Sequence, residues 1–121
     1  MTGTYTLYGA EVSYYTGKAR AYLRWRGMPF VEEGATQAVY REIILPTVGW
    51  PVIPVLKSPD GSIIQDTADI IDYVEACEKL QPPAVPDGPV QRFVALLLHL
   101  YADEWLVIPA MHYRWNFNED F

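Results

Sequence analysis

The stretch Val52-Ile53-Pro54-Val55-Leu56-Lys57-Ser58-Pro59-Asp60-Gly61-Ser62-Ile63-Ile64-Gln65-Asp66-Thr67 decides the fold. Val52 to Leu56 has the β-branched content of a strand, yet Pro54 stands in its middle, where a ladder donor is needed. Such a proline must start the strand or lie at a bulge. A cis Ile53-Pro54 bond reconciles these demands, because only proline makes that isomer accessible, and it would turn the backbone of Ile53 toward a ligand. Lys57 to Ser62 carries strong turn chemistry, so Ile63-Ile64 is expected as the return strand of a hairpin. Asp66 or Thr67 can then cap a helix whose apolar positions Ile70, Ile71, Val74 and Cys77 follow three-to-four spacing and which ends near Glu78 to Leu80.

Upstream, Thr4-Tyr5-Thr6-Leu7-Tyr8 alternates hydroxyl and apolar faces and is closed by Gly9, the pattern of a first strand. A loop, Ala10 to Thr16, precedes a helix beginning at Gly17, with Ala19, Tyr22 and Leu23 on one face and Lys18, Arg20, Arg24 and Arg26 in water. Gly27 is placed to end that helix and Pro29 to stop it. Pro29 to Glu33 reads as a second strand and Ala35 to Ile44 as a weak helix or irregular crossover. A β-α-β order this close in sequence favours a parallel pair joined by a right-handed crossover.

Downstream, Gln81 to Pro89 is too rich in proline for a helix and marks a linker. From Val90 to Trp115 one long helical pattern follows, with Phe93, Leu96, Leu97, Leu100, Tyr101, Trp105 and Ile108 on a wide apolar face and Pro109 kinking or ending it. The expected organisation is an α/β domain over residues 1–79, a linker over 80–89, and the beginning of an incomplete helical domain over 90–121. A single helix cannot bury so wide a face, so either the chain is truncated or another chain covers it.

With 121 residues, half of them apolar, the chain is long enough for one domain with its own core. MTGTYTLYGA has no signal-peptide features, and prolines interrupt the longest uncharged runs, so a soluble, cytoplasmic protein without membrane contact is expected. A net charge of −6 with dispersed basic residues argues against nucleic acid as a partner. The single cysteine, Cys77, excludes an intramolecular disulfide, a dithiol redox pair and a multi-cysteine metal site, and it is expected to be buried. His99 and His112 lack any spacing suited to a metal, so none is expected.

The order β-α-β, proline-bearing strand, hairpin and capped helix is the thioredoxin-like layout, and its landmarks resemble the N-terminal domain of the glutathione transferase superfamily. Ser13-Tyr14-Tyr15-Thr16-Gly17-Lys18-Ala19-Arg20 resembles that family's loop-to-helix segment, and Arg26-Gly27-Met28-Pro29-Phe30-Val31-Glu32-Glu33 its exit into the second strand. Val52-Ile53-Pro54-Val55-Leu56 resembles the "VPVL" strand, and Gln65-Asp66-Thr67-Ala68-Asp69-Ile70-Ile71-Asp72-Tyr73-Val74 the "ES-x-AI-x-x-YL" motif. The resemblance implies glutathione as substrate, a small electrophile as its acceptor, and a homodimer. Val90 to Phe121 is similar to the opening of the family's all-helical second domain, which helps build the dimer interface and the acceptor pocket.

The glutathione thiol, if it behaves like free cysteine with a pKa of about 8.5, is mostly protonated at neutral pH. Lowering that value by about two units needs ~2.7 kcal/mol; one hydrogen bond to a charged group supplies ~1.5–3 and a helix N-terminus ~0.3–1. One hydroxyl at a helix start is therefore enough. Ser13 occupies the position that carries the reactive Ser or Cys in the matching motif; Tyr8 is its alternative, as other classes use a tyrosine there, and Tyr14, Tyr15 and Thr16 are further hydroxyls nearby. Ile53 before the proline would offer its backbone to the cysteinyl part of the tripeptide, Thr67 and helix N–H groups would bind the γ-glutamyl carboxylate, and Asp66 its ammonium. A non-catalytic member that keeps the fold for binding or assembly is the other expectation these residues allow.

Overall fold

The computed structural model describes residues 3–117, and the chain divides into two compact units, Met1–Leu80 and Gln81–Phe121. In the first unit, strand β1 (Tyr5–Gly9) leads through helix α1 (Tyr14–Trp25) to β2 (Phe30–Gly34). A helical connection follows, made of α2 (Gln37–Val39), a π-helical turn (Tyr40–Ile44) and α3 (Leu45–Val48). The hairpin β3 (Val55–Lys57) and β4 (Ile63–Gln65) then leads into α4 (Thr67–Glu78). The sheet order is β2-β1-β3-β4, with β1 parallel to β2 and antiparallel to β3, and β3 antiparallel to β4. This is the expected α/β, thioredoxin-like arrangement.

Several boundaries differ from the sequence reading for local reasons. Helix α1 starts at Tyr14 rather than Gly17, because the Ser13 hydroxyl caps it by accepting from the Thr16 N–H at 3.2 Å. It stops where expected: Gly27 has φ +67, its N–H bonds the Arg24 carbonyl, and the Met28 N–H bonds the Leu23 carbonyl, which satisfies the last carbonyls of the helix. Strand β3 begins at Val55 rather than Val52, since Pro54 has no N–H to give the ladder and the Ile53-Pro54 bond is cis. The connection after β2 is one helical run with a widened turn just ahead of Pro46, which cannot donate to the Glu42 carbonyl.

Residues of β1 alternate between two layers. Tyr8 faces a cluster with Val55 of β3 and Ile44 of the helical connection, flanked by Val39, Tyr40, Ile43, Val48, Ile53 and Ile63. Tyr5 and Leu7 are buried on the opposite face, where the Tyr5 hydroxyl donates to Glu78 of α4 at 2.8 Å. Helices α1 and α4 bury Ala19, Leu23, Ile70 and Val74 completely. The two helices are tied by Tyr22, whose hydroxyl donates to Glu75 Oε1 at 2.6 Å, and by Arg26, whose Nη2 donates to Glu75 Oε2 at 3.1 Å. Arg26 Nε lies 2.9 Å from Oε1 but off line for a hydrogen bond, so that contact is an ion pair. Cys77, expected to be buried, is only half-buried on α4.

In the second unit, the expected long helix is present but interrupted, as α5 (Pro89–Glu104) and α6 (Val107–Trp115). The break lies four residues before Pro109, where the proline ring would press on the Trp105 carbonyl; that carbonyl accepts instead from the Ile108 N–H at 3.2 Å. Phe93, Leu97, Leu100, Tyr101, Trp105 and Ile108 are all at least half exposed. By length and composition alone the span 89–115 is apolar enough to cross a membrane. The last four residues of the expected helical domain, 118–121, lie outside the described residues.

The β3–β4 turn yields a pH prediction. Asp60 accepts from the Ser58 hydroxyl, and its Oδ1 accepts from the Ser62 N–H at 2.9 Å; these bonds, the Ser58 one foremost, hold its carboxyl down to about 2. A depressed folded value means that the turn's stabilisation is complete above the ordinary carboxylate value and is lost as pH falls through about 2. Chemical denaturation measured at a series of acidic pH values should show Asp60→Asn less stable than the native chain near neutrality, with the difference closing as pH drops through this window.

Candidate functional site

The register of the sheet brings the predicted residues to one end of it. Tyr8 pairs with Val55, so Gly9 at the end of β1 lies beside Pro54, the residue just ahead of β3. Val55 also pairs with Gln65, so the end of β4 delivers Asp66 and Thr67 to the same edge. The loop from Gly9 to Ser13 carries the first turn of α1 there as well. Ligands of open α/β sheets bind in crevices outside strand ends, and here two helix N-termini, those of α1 and α4, open toward that region.

Around Ser13 the chain is tightly folded. Its N–H bonds the Ala10 carbonyl at 3.0 Å, and its hydroxyl oxygen accepts from the Thr16 N–H. Accepting that bond leaves the O–H proton free to be donated elsewhere. The first turn of α1 contains no acidic side chain, so nothing there opposes an anion at the cap. Thr16 is fully buried, and its Oγ1 accepts from the Ala10 N–H at 3.4 Å. Tyr14 and Tyr15 meet edge to face with ring centroids 5.3 Å apart.

Tyr8 stands in a different environment from Ser13. Only 4% exposed, it lies in the apolar cluster with Ile44 and Val55. Burial, reinforced by the neighbouring Glu33, pushes its hydroxyl above the ordinary tyrosine value.

Asp66 caps α4: its Oδ1 accepts from the Ala68 N–H at 2.8 Å. Its φ of +75 is one that an L side chain rarely adopts, at a cost of about 1–3 kcal/mol. Thr67 is only 4% exposed, so its backbone N–H, in the helix turn that lacks internal partners, is its natural contribution to the site. Pro54 is buried and Ile53 half-buried.

An open cleft of about 450 Å³, lined by Gly9, Ala10, Glu11, Arg20, Arg24, Glu32 and Gly34, lies on the β2 side of the same β1–α1 loop. It contains none of the predicted residues. Two of its charges are paired: the Arg20 guanidinium is bonded to both oxygens of Glu32 at 2.6 Å, which holds that carboxyl below its usual range. Among the described residues no group of three or more His, Cys, Asp and Glu could hold a metal ion. His99 instead pairs with Asp103 at 2.9 Å, and His112 with Asn116.

Two features escaped the sequence reading. The positive φ of Asp66 had a faint signal, since aspartate tolerates that region better than most residues. The contact between Gly9 and Thr16 had none, because a Cβ on Gly9 is excluded only by a side chain seven positions later: it would fall 2.3 Å from Thr16 Cγ2.

Substitutions at position 66 separate cap from strain. Asp66→Ala should lower stability by ~1 kcal/mol or more, losing the cap while keeping a Cβ at positive φ, whereas Asp66→Gly should cost only a few tenths. Urea denaturation of both variants measures the difference.

Residues 7–82 match the family described as "Glutathione S-transferase, N-terminal domain". Among solved structures, a Tau class glutathione S-transferase from mango is 25% identical with a TM-score of 0.69, over 84% of this chain and 46% of that one. A glutathione transferase family member from Pseudomonas fluorescens with bound glutathione is 21% identical with a TM-score of 0.68, over 82% of this chain and 50% of its own. An epsilon-class glutathione S-transferase from the housefly is 19% identical with a TM-score of 0.72, over 93% and 55%. The chain thus spans about half the length of these structures. No curated protein matches it by sequence.

Proposed function

Since the chain belongs to the glutathione S-transferase family by its N-terminal domain, we propose that it is a glutathione transferase-like protein that binds glutathione at the sheet end bearing Ser13, Pro54 and Asp66. The observation that carries this reading is the convergence of these residues in the strand register, within the span that matches the family. Bound glutathione in a structural neighbour supports the choice of ligand.

In this reading the Ser13 O–H donates to the sulfur while its oxygen stays anchored to the Thr16 N–H, so the α1 dipole and one hydroxyl together stabilise the thiolate. The backbone of Ile53 pairs with the cysteinyl unit. The first-turn N–H groups of α4, Thr67 included, hold the γ-glutamyl carboxylate, and the Asp66 carboxylate holds its ammonium. The thiol releases its proton to solvent, and the thiolate attacks an electrophilic carbon, forming a carbon–sulfur bond while the bond to the leaving group breaks; with an aromatic halide the halide ion departs. A homodimer in the cytoplasm covers the apolar face of α5. Tyr8, enclosed among apolar side chains, keeps a supporting role in the core. The reading in which the fold serves binding without conjugation draws on the cluster of hydroxyls Ser13, Tyr14, Tyr15 and Thr16, which share one segment.

Calorimetric titration of glutathione, followed by a conjugation assay with a reactive aromatic halide, tests the proposal. Ser13→Ala should bind glutathione nearly as well but conjugate it roughly ten- to a hundredfold more slowly, the loss of one charge-assisted hydrogen bond. Tyr8→Phe should conjugate at close to the native rate. No detectable binding of glutathione would sink the transferase reading; binding without turnover would favour the non-catalytic one.

A further inference from the structure

Resting on the transferase reading, we infer that Thr16 is a positioning residue that sets the orientation of the Ser13 hydroxyl through the loop joining β1 to α1. Thr16 touches this loop in three ways. Its backbone N–H donates to Ser13 Oγ at 3.2 Å, its Oγ1 accepts from the Ala10 N–H at 3.4 Å, and its methyl group occupies the space that a Cβ on Gly9 would need.

The loop is closed upon itself by the Ser13 N–H to Ala10 carbonyl bond at 3.0 Å. Ala10 is therefore held at both of its polar groups, by Thr16 at one and by Ser13 at the other. Gly9, one residue earlier, accepts at its carbonyl from the Ala35 N–H at 2.8 Å, so the loop is anchored to the end of β2 and has little freedom of its own. Thr16 itself is completely buried and cannot serve as a second hydroxyl for a ligand. Its hydroxyl acts only through Ala10 and Ser13. Without an acceptor at position 16, the Ala10 N–H loses its partner, the loop gains an alternative geometry, and Ser13 Oγ no longer presents its proton in one direction.

The consequence is specific: loss of the Thr16 hydroxyl raises the pKa of the bound thiol with less effect on glutathione affinity, because affinity rests mainly on the α4 side of the site. The measurement is the ultraviolet absorbance of the thiolate as a function of pH, with glutathione bound to the full 121-residue chain. Thr16→Ser keeps the hydroxyl and should keep the native titration. Thr16→Ala and Thr16→Val should move the titration midpoint upward by about one pH unit, a roughly tenfold smaller thiolate fraction at pH values well below both midpoints. Circular dichroism confirms that each variant is folded. If Thr16→Val does not fold, the comparison of Thr16→Ser with Thr16→Ala still isolates the hydroxyl, since both lack the methyl group.

Equal titrations in Ser, Ala and Val variants, with the native chain showing a bound thiolate, would overturn the inference while leaving the transferase reading intact. Glutathione binding to the native chain without thiolate formation, or no binding at all, would overturn both.

Discussion

Strand β1 pairs along both of its edges, parallel to β2 and antiparallel to β3, and both of its faces are covered. Five residues therefore define the whole first unit. Because side chains alternate, Tyr5 and Leu7 must serve one layer and Tyr8 the other, and neither set tolerates a shift of register by one residue. The central strand also decides where function can reside. A strand paired on both sides and buried on both faces leaves only its ends accessible, and its carboxyl end is Gly9, beside Pro54 and near Asp66.

That end is built as much by exclusion as by attraction. Gly9 is required because Thr16 fills the space of a Cβ. Pro54 stays out of the ladder because it has no N–H. Asp66 adopts a positive φ that allows its side chain to cap α4. Each of these constraints removes freedom from a loop that would otherwise be the most mobile part of a sheet edge. Pre-organisation of this kind lets fixed groups act on a developing charge without reorganising, which is what the proposed role of Ser13 and the α1 terminus requires. The far ends of α1 and α4 are locked separately, by Glu75 with Tyr22 and Arg26, so the two helix N-termini are held from behind.

The second unit obeys different rules. Its backbone bonds are satisfied within α5 and α6, and the break ahead of Pro109 has a local cause, yet its apolar side chains remain in the open. A helix can be specified by its own sequence while the burial of its face requires a partner surface. Nothing within residues 81–117 supplies such a surface for Phe93, Leu97 or Tyr101.

The sequence by itself determined the order of elements, the stop of α1 and the turn of the hairpin, because these depend on residues close along the chain. Alternation marked β1, glycine and proline marked the stop of α1, and turn chemistry marked the hairpin. Only the tertiary structure decided which hydroxyl is half-buried at a helix start and which is enclosed. The sequence favours Ser13 and keeps Tyr8 as its alternative, but the pairing of Tyr8 with Val55 and its packing on Ile44 come from residues more than thirty positions away. The same holds for the complete burial of Thr16. Their surroundings are assembled by contacts between distant segments, and no local pattern records which segments will meet.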